Sequence, residues 1–219
     1  FDLSTDALAQ KVAVNVLSEE VSIVGSEAFM NPSESDEVTL GYYASTEIGQ
    51  FTVDFGARFD FIDREGSLSH EEEHHDDEDH GDEDHGDEDH GDEHHDEEHE
   101  MEYYSRSDNN TSLSMSLSNE ITDSLSFTLG ISNVERTPSS IELFMNGAHM
   151  ATGRYEVGDV NLKSETSRNI DLNFIYERDG YFGNLSFFRN DVDNYIYLQD
   201  ETEEAVSYTH LRAHETSQH

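Results

Sequence analysis

The sequence predicts an all-β chain: an antiparallel up-and-down meander forming part of a transmembrane β-barrel, with long extracellular loops. Three observations carry this. Apolar residues recur at every second position in about seven segments, the mark of strands with one apolar face. The clearest segment keeps this rhythm from Phe51 to Phe61. That exceeds the 5–6 residues typical of a soluble strand and suits a membrane crossing of roughly 9–11. The connections between segments alternate long and short along the chain.

The first strand is expected around Val12, Val14 and Val16, the second over Val38, Leu40, Tyr42 and Ala44. In the third, Phe51, Val53, Phe55, Ala57, Phe59 and Phe61 alternate with Thr52, Asp54, Gly56, Arg58 and Asp60. The fourth holds Leu113, Met115 and Leu117 separated by serines, the fifth Leu125, Phe127, Leu129 and Ile131, the sixth Ile170, Leu172, Phe174 and Tyr176. The seventh stretch, 181–198, holds one or two more repeats and ends in YIYL. Helical periodicity is nowhere as strong. The long connections are 19–37, 63–102 and 135–163; the short ones are 47–50, 118–123 and 177–181. Successive connections of a meander fall at opposite ends, so every long loop lies at one end and every tight turn at the other. That is the asymmetry of an outer-membrane barrel, with short periplasmic turns and long extracellular loops. A soluble β-sandwich also alternates, but it requires neither such long strands nor strict loop parity. Tyrosines near strand ends, among them Tyr42, Tyr43, Tyr103, Tyr104, Tyr181 and Tyr195, suit a membrane interface, although they also have simple β-propensity.

Composition narrows the function. The 219 residues carry a formal net charge of −40. A surface this negative repels phosphate backbones and attracts cations, so no nucleic acid is expected as a partner. There is no cysteine, which excludes disulfides and thiolate metal sites. No apolar run reaches the length of a transmembrane helix, which leaves a β-barrel open. No nucleophile elbow, HExxH or phosphate-cradling glycine loop is present, and the expectation is that the protein is not an enzyme.

The acidity is concentrated between two strands. Residues 70–100 hold 19 acids, nine histidines and three glycines, and nothing else. Such a segment cannot bury apolar area, and it is expected to be a disordered external loop spanning 63–102. A five-residue repeat runs through it, HGDED, with His80, His85 and His90 in frame, flanked by His70, His74, His75, His94, His95 and His99. Neutral imidazole ligates zinc, copper and nickel, and carboxylates add oxygen donors. Gly81, Gly86 and Gly91 let several histidines converge on one ion. Many weak, exchanging sites suit capture and hand-over. Acid weakens them, since imidazole must lose its proton to coordinate. Zinc is the first choice, then nickel or copper; the other reading is a solvated acidic spacer.

The segments EAFMNPSESDEVTLGYYASTEIGQFTVDFGARFD, NVERTPSSIELFMNGAHMATGRYEVGDVNLKSETSRNIDL and NDVDNYIYL together resemble barrel strands of TonB-dependent outer-membrane receptors. The likeness is to the zinc-uptake branch, whose members often carry a His- and acid-rich external loop. Thr137 stands where the family has Ala, and Val160 and Ser164 where it has Pro. The resemblance implies a location in the Gram-negative outer membrane, with membrane lipid and the TonB energising complex as partners, the latter through a plug domain absent here. It implies uptake of a metal ion or metal chelate with no prosthetic group. It adds His149 to the candidate metal ligands, and Glu142 and Glu156 as polar groups at the path, for which a structural role is preferred. Residues 1–204 are then a partial receptor barrel, and the sequence, opening at Phe1, is read as a fragment. AVSYTHLRAHETSQH, 205–219, breaks the pattern; it resembles translated adapter read-through and is expected to be a non-native tail, the alternative being the start of a genuine loop. The competing functional reading is a soluble secreted or periplasmic metal-sequestering β-protein without a transport role.

Overall fold

A computed structural model describes residues 1–25, 28–70, 100–149, 153–203 and 206–214. In chain order the elements are β1 (Ala9–Val21), β2 (Ser33–Ile48), β3 (Phe51–His70), β4 (Glu100–Thr122), β5 (Leu125–Arg136), α1 (Ser140–Phe144), β6 (Asn146–His149), β7 (Arg154–Val157), β8 (Glu165–Arg178), β9 (Tyr181–Asp193), β10 (Tyr195–Glu203) and β11 (Val206–His214). Seven strands form one sheet in the order β1-β2-β3-β4-β5-β8-β9, and every neighbour is antiparallel. This is the predicted meander, part of a transmembrane barrel wall. Tight turns join β2 to β3, β4 to β5 and β8 to β9, all at one end. At the β8–β9 turn Asp179 and Gly180 both have positive φ, the pair of left-handed residues that a two-residue hairpin demands.

Register sorts the side chains by face. Leu40 lies opposite Phe59, Phe55 opposite Met115, Met115 opposite Ile131, and Ile131 opposite Ile170. These residues are exposed: Phe55 40 %, Phe59 42 %, Met115 47 %, Ile131 51 %. An apolar band of this extent, uncovered by protein, is the face that meets lipid. The other face carries Thr39, Asp60 and Asn110 in one row and Gly41, Arg58 and Ser112 in the next. Its groups bond one another: Thr39 donates to Asp60, and Tyr43 and Ser116 to Asp54. This polar face is the barrel interior.

Four expectations change. Of the loop expected over 63–102, residues 63–70 and 100–102 are strand, because β3 continues to His70 and β4 starts at Glu100, and 71–99 lie outside the described residues. Above the bilayer both faces of a strand meet water or polar loops, so outward Asp63 and Glu65 replace apolar residues and the alternation disappears. The connection expected at 135–163 contains α1, β6 and β7, too short to show a period. The seventh stretch, 181–198, divides at Asn194, whose left-handed φ of 56° ends β9; Asn tolerates that conformation. β10 then joins a second sheet, β10-β11-β7-β6. Finally, part of the tail set aside from the fold, 205–219, supplies β11, antiparallel to β10 and parallel to β7, because backbone pairing requires no hydrophobic pattern.

Candidate functional site

The 137–164 segment folds back over the interior face and builds a small core there. Leu143, Phe144, Met145 and Leu162 are buried with Met30 and Ile196. Leu68 and Tyr104 from β3 and β4 pack against them. Burying such side chains contributes about 1.5–3 kcal/mol each, which holds an otherwise polar loop in the mouth. Gly66 makes the approach possible: a Cβ there would lie 2.6 Å from the Phe144 ring.

Polar locks fix the same loop. Ser139 caps α1 and forms a capping box with Glu142, satisfying two orphan N–H groups. Arg136, at the end of β5, grips both Glu142 oxygens at 2.9 and 3.0 Å and also bonds Glu165. Burial would push the Glu142 carboxyl up, but the Arg136 and Ser139 hydrogen bonds outweigh it and hold the group below its usual range. The same bonds, from Glu142 first and then Glu165, push Arg136 up. Asn110 donates to the Thr137 hydroxyl at 2.6 Å, a use for Thr where the resembled family has Ala. Arg106 donates to the carbonyls of Val160 and Leu162. Glu142 thus joins the start of α1 to the end of β5.

Beside this core, β6 and β7 pair with Gly147 opposite Glu156. His149 Nδ1 lies 3.0 Å from Glu156 Oε2. Glu156 is 6 % exposed, and the Phe29 ring stands 4.7 Å from the imidazole, centroid to centroid. The pair offers one nitrogen and one oxygen donor at the mouth. Among the described residues no group of three or more His, Cys, Asp or Glu is placed to hold a metal ion. His70 ends β3 opposite Glu100. His74, His75, His80, His85, His90, His94, His95 and His99 lie outside the described residues. Sequence reasoning missed Arg136, Arg106 and Asn110. The Arg-x-Asp spacing at 58–60, 106–108 and 189–191 was the available signal for paired charges on one strand face.

The family model for TonB dependent receptor-like, beta-barrel matches residues 16–210. The ferrienterobactin receptor of Escherichia coli is 30 % identical over 104 residues, 43 % of this chain and 14 % of that protein. Heme/hemopexin utilization protein C of Haemophilus influenzae is 32 % identical over 107 residues, 42 % of this chain and 15 % of that protein. Among solved structures, copper transporter OprC superposes with a TM-score of 0.67 at 14 % identity, covering 97 % of this chain and 32 % of that one. The Serratia marcescens hemophore receptor HasR gives 0.65 at 13 % identity, covering 94 % and 36 %. The chain thus spans about a seventh of these curated relatives and about a third of these solved chains.

Proposed function

Since the chain belongs to the TonB-dependent receptor family, as part of its outer-membrane β-barrel, we propose that it forms the capturing wall of a receptor that takes up a transition metal. Zinc is the first choice, ahead of nickel and copper, as a bare ion or a chelate. Family members are outer-membrane proteins of Gram-negative bacteria, so the soluble sequestering protein is set aside. The observation that carries the metal reading is the 70–100 tract, with nine histidines among 19 acids. Its mounting supports this. β3 has 20 residues and β4 has 23. At about 3.3 Å per residue and a tilt of about 40°, β3 rises roughly 50 Å, against an apolar band of about 25 Å. A ladder of that length supports an external position for the tract, since its upper part would stand above the bilayer on the side of the long connections. His149 and Glu156 are the next nitrogen and oxygen donors a captured ion meets in the mouth, and the TonB complex would supply the energy for import.

Zinc titration of the full-length receptor tests this. Binding is expected to weaken at least tenfold from pH 7.5 to 5.5, as the imidazoles gain protons. Deleting 71–99 is expected to remove most sites, and His149→Ala to slow import at limiting zinc while leaving capture by the tract. Zinc binding unchanged by the deletion refutes the reading, and equal affinity at both pH values assigns the ligands to carboxylates and removes the case for a transition metal.

A further inference from the structure

Among the described residues, four arginines face the barrel interior, and three of them carry carboxylates. Arg58 Nε is 2.8 Å from Asp60, Arg106 Nε is 2.6 Å from Asp108, and Arg136 holds Glu142 through both oxygens. Arg58 and Arg106 follow one rule, an aspartate two residues on and therefore on the same strand face. Outward-facing Arg189 obeys it with Asp191.

Arg64 is the exception. Two residues on stands Gly66, where the Phe144 ring leaves no space for a Cβ. Two residues back is buried Ile62. Directly across the ladder lies another cation, Arg106, with Ser35 on the other side. Three acids exert an attraction, Asp108, Glu37 and Glu142, but each is engaged. Asp108 is held by Arg106 and Glu142 by Arg136, while Glu37 shares the single Thr39 hydroxyl proton with Asp60. The Nε and Nη1 atoms of Arg64 are closed off from solvent and have no hydrogen-bond partner, and neither has the Ser33 hydroxyl on the same face of β2. The side chain as a whole is only partly buried, so it retains an approach from the interior. Buried charged donors left unmade are costly; Nε and Nη1 point to different edges of the guanidinium, and each forms a two-bond fork for a planar or tetrahedral oxyanion together with Nη2.

We infer that Arg64 is an oxyanion-binding residue of the barrel interior, its ligand a carboxylate or phosphate group that reaches the Arg64 guanidinium beneath the α1 loop. This is separate from the metal reading: the residues differ and the charge is opposite. The group has two possible sources, a free small oxyanion or a carboxylate side chain elsewhere in the complete receptor.

The test uses the full-length receptor in detergent, with inorganic phosphate and citrate as probes at constant ionic strength. A free oxyanion raises the unfolding temperature of the wild type saturably, and Arg64→Gln weakens that response at least tenfold, whereas Arg189→Gln leaves it intact. A protein carboxylate gives no response to either probe; Arg64→Gln then lowers the unfolding temperature and Arg64→Lys restores part of it. An experimental structure of the receptor reads the same question without a variant, as an oxyanion within hydrogen-bond distance of Nε or Nη1. Those two atoms facing only water or apolar atoms, or an Arg64→Met protein as stable as the wild type with no probe response, overturns the inference.

Discussion

At Glu142 a single carboxylate accepts from both Arg136 nitrogens and from the Ser139 backbone, tying the first turn of α1 to the end of β5. The amide of Glu142→Gln keeps the shape but offers only one acceptor oxygen and no charge. The loop is expected to loosen by about 1–2 kcal/mol, the scale of a charge-assisted bond partly open to water. Protease susceptibility of 137–164 in the full-length receptor measures it. The pH dependence follows from the direction of the shift. The folded Glu142 carboxyl titrates below its reference value of 4.5, so its contribution is complete above the unfolded value and fades as pH falls through the folded one. Wild-type loop protection is therefore expected to hold down to the reference value of 4.5 and to drop as the pH falls further, whereas Glu142→Gln starts from the weaker protection and lacks this step. Equal protection of the two proteins at pH 7 would mean that the apolar core alone holds the loop.

The β3–β4 ladder depends on one small residue where α1 lands on it. Gly66→Ala puts a methyl group 2.6 Å from the Phe144 ring, an overpacking cost of about 1–3 kcal/mol. Phe144→Ala alone removes a ring that is 1 % exposed and costs about 3–5 kcal/mol. Combined, the two changes are expected to cost clearly less than their sum, since without the ring the added methyl meets no clash and fills part of the cavity; additive losses in chemical unfolding would show that the ring and the methyl do not compete for the same space. This contact also marks the limit of what could be read beforehand. The apolar-polar alternation of Phe51–Phe61, and the loop parity around it, disclosed the meander, because lipid imposes one face and lumen the other. Past Ile62 that pressure ends, and the paired segment from Asp63 to His70 looks like loop. α1 spans only Ser140–Phe144, little more than a turn, and its burial comes from distant Met30 and Ile196, which no local pattern announces. Of the site, the histidine tract was plain from composition. His149 entered only through family resemblance, and its partner Glu156 depends on a hairpin register that short strands do not reveal.

For the molecule as a whole, the decisive question is which face meets lipid, and adjacent residues of β4 can decide it. Met115 lies between Phe55 and Ile131 on the uncovered band, while Ser114 lies between Gly56 and Ser132 on the polar face. Both sit near mid-height of the apolar band, so depth is held constant and only the face differs. A lipid-facing arginine at the midplane costs about 2–4 kcal/mol, whereas a lumen-facing charge remains in a polar, hydrated space. Met115→Arg is therefore expected to lower the yield and stability of folded receptor in outer membranes or refolded vesicles by that amount. Ser114→Arg should change stability by less than about 1 kcal/mol, with any larger effect appearing in transport through the lumen. If the two substitutions cost the same, or their order reverses, the apolar band is not a lipid surface and the wall has been read inside out.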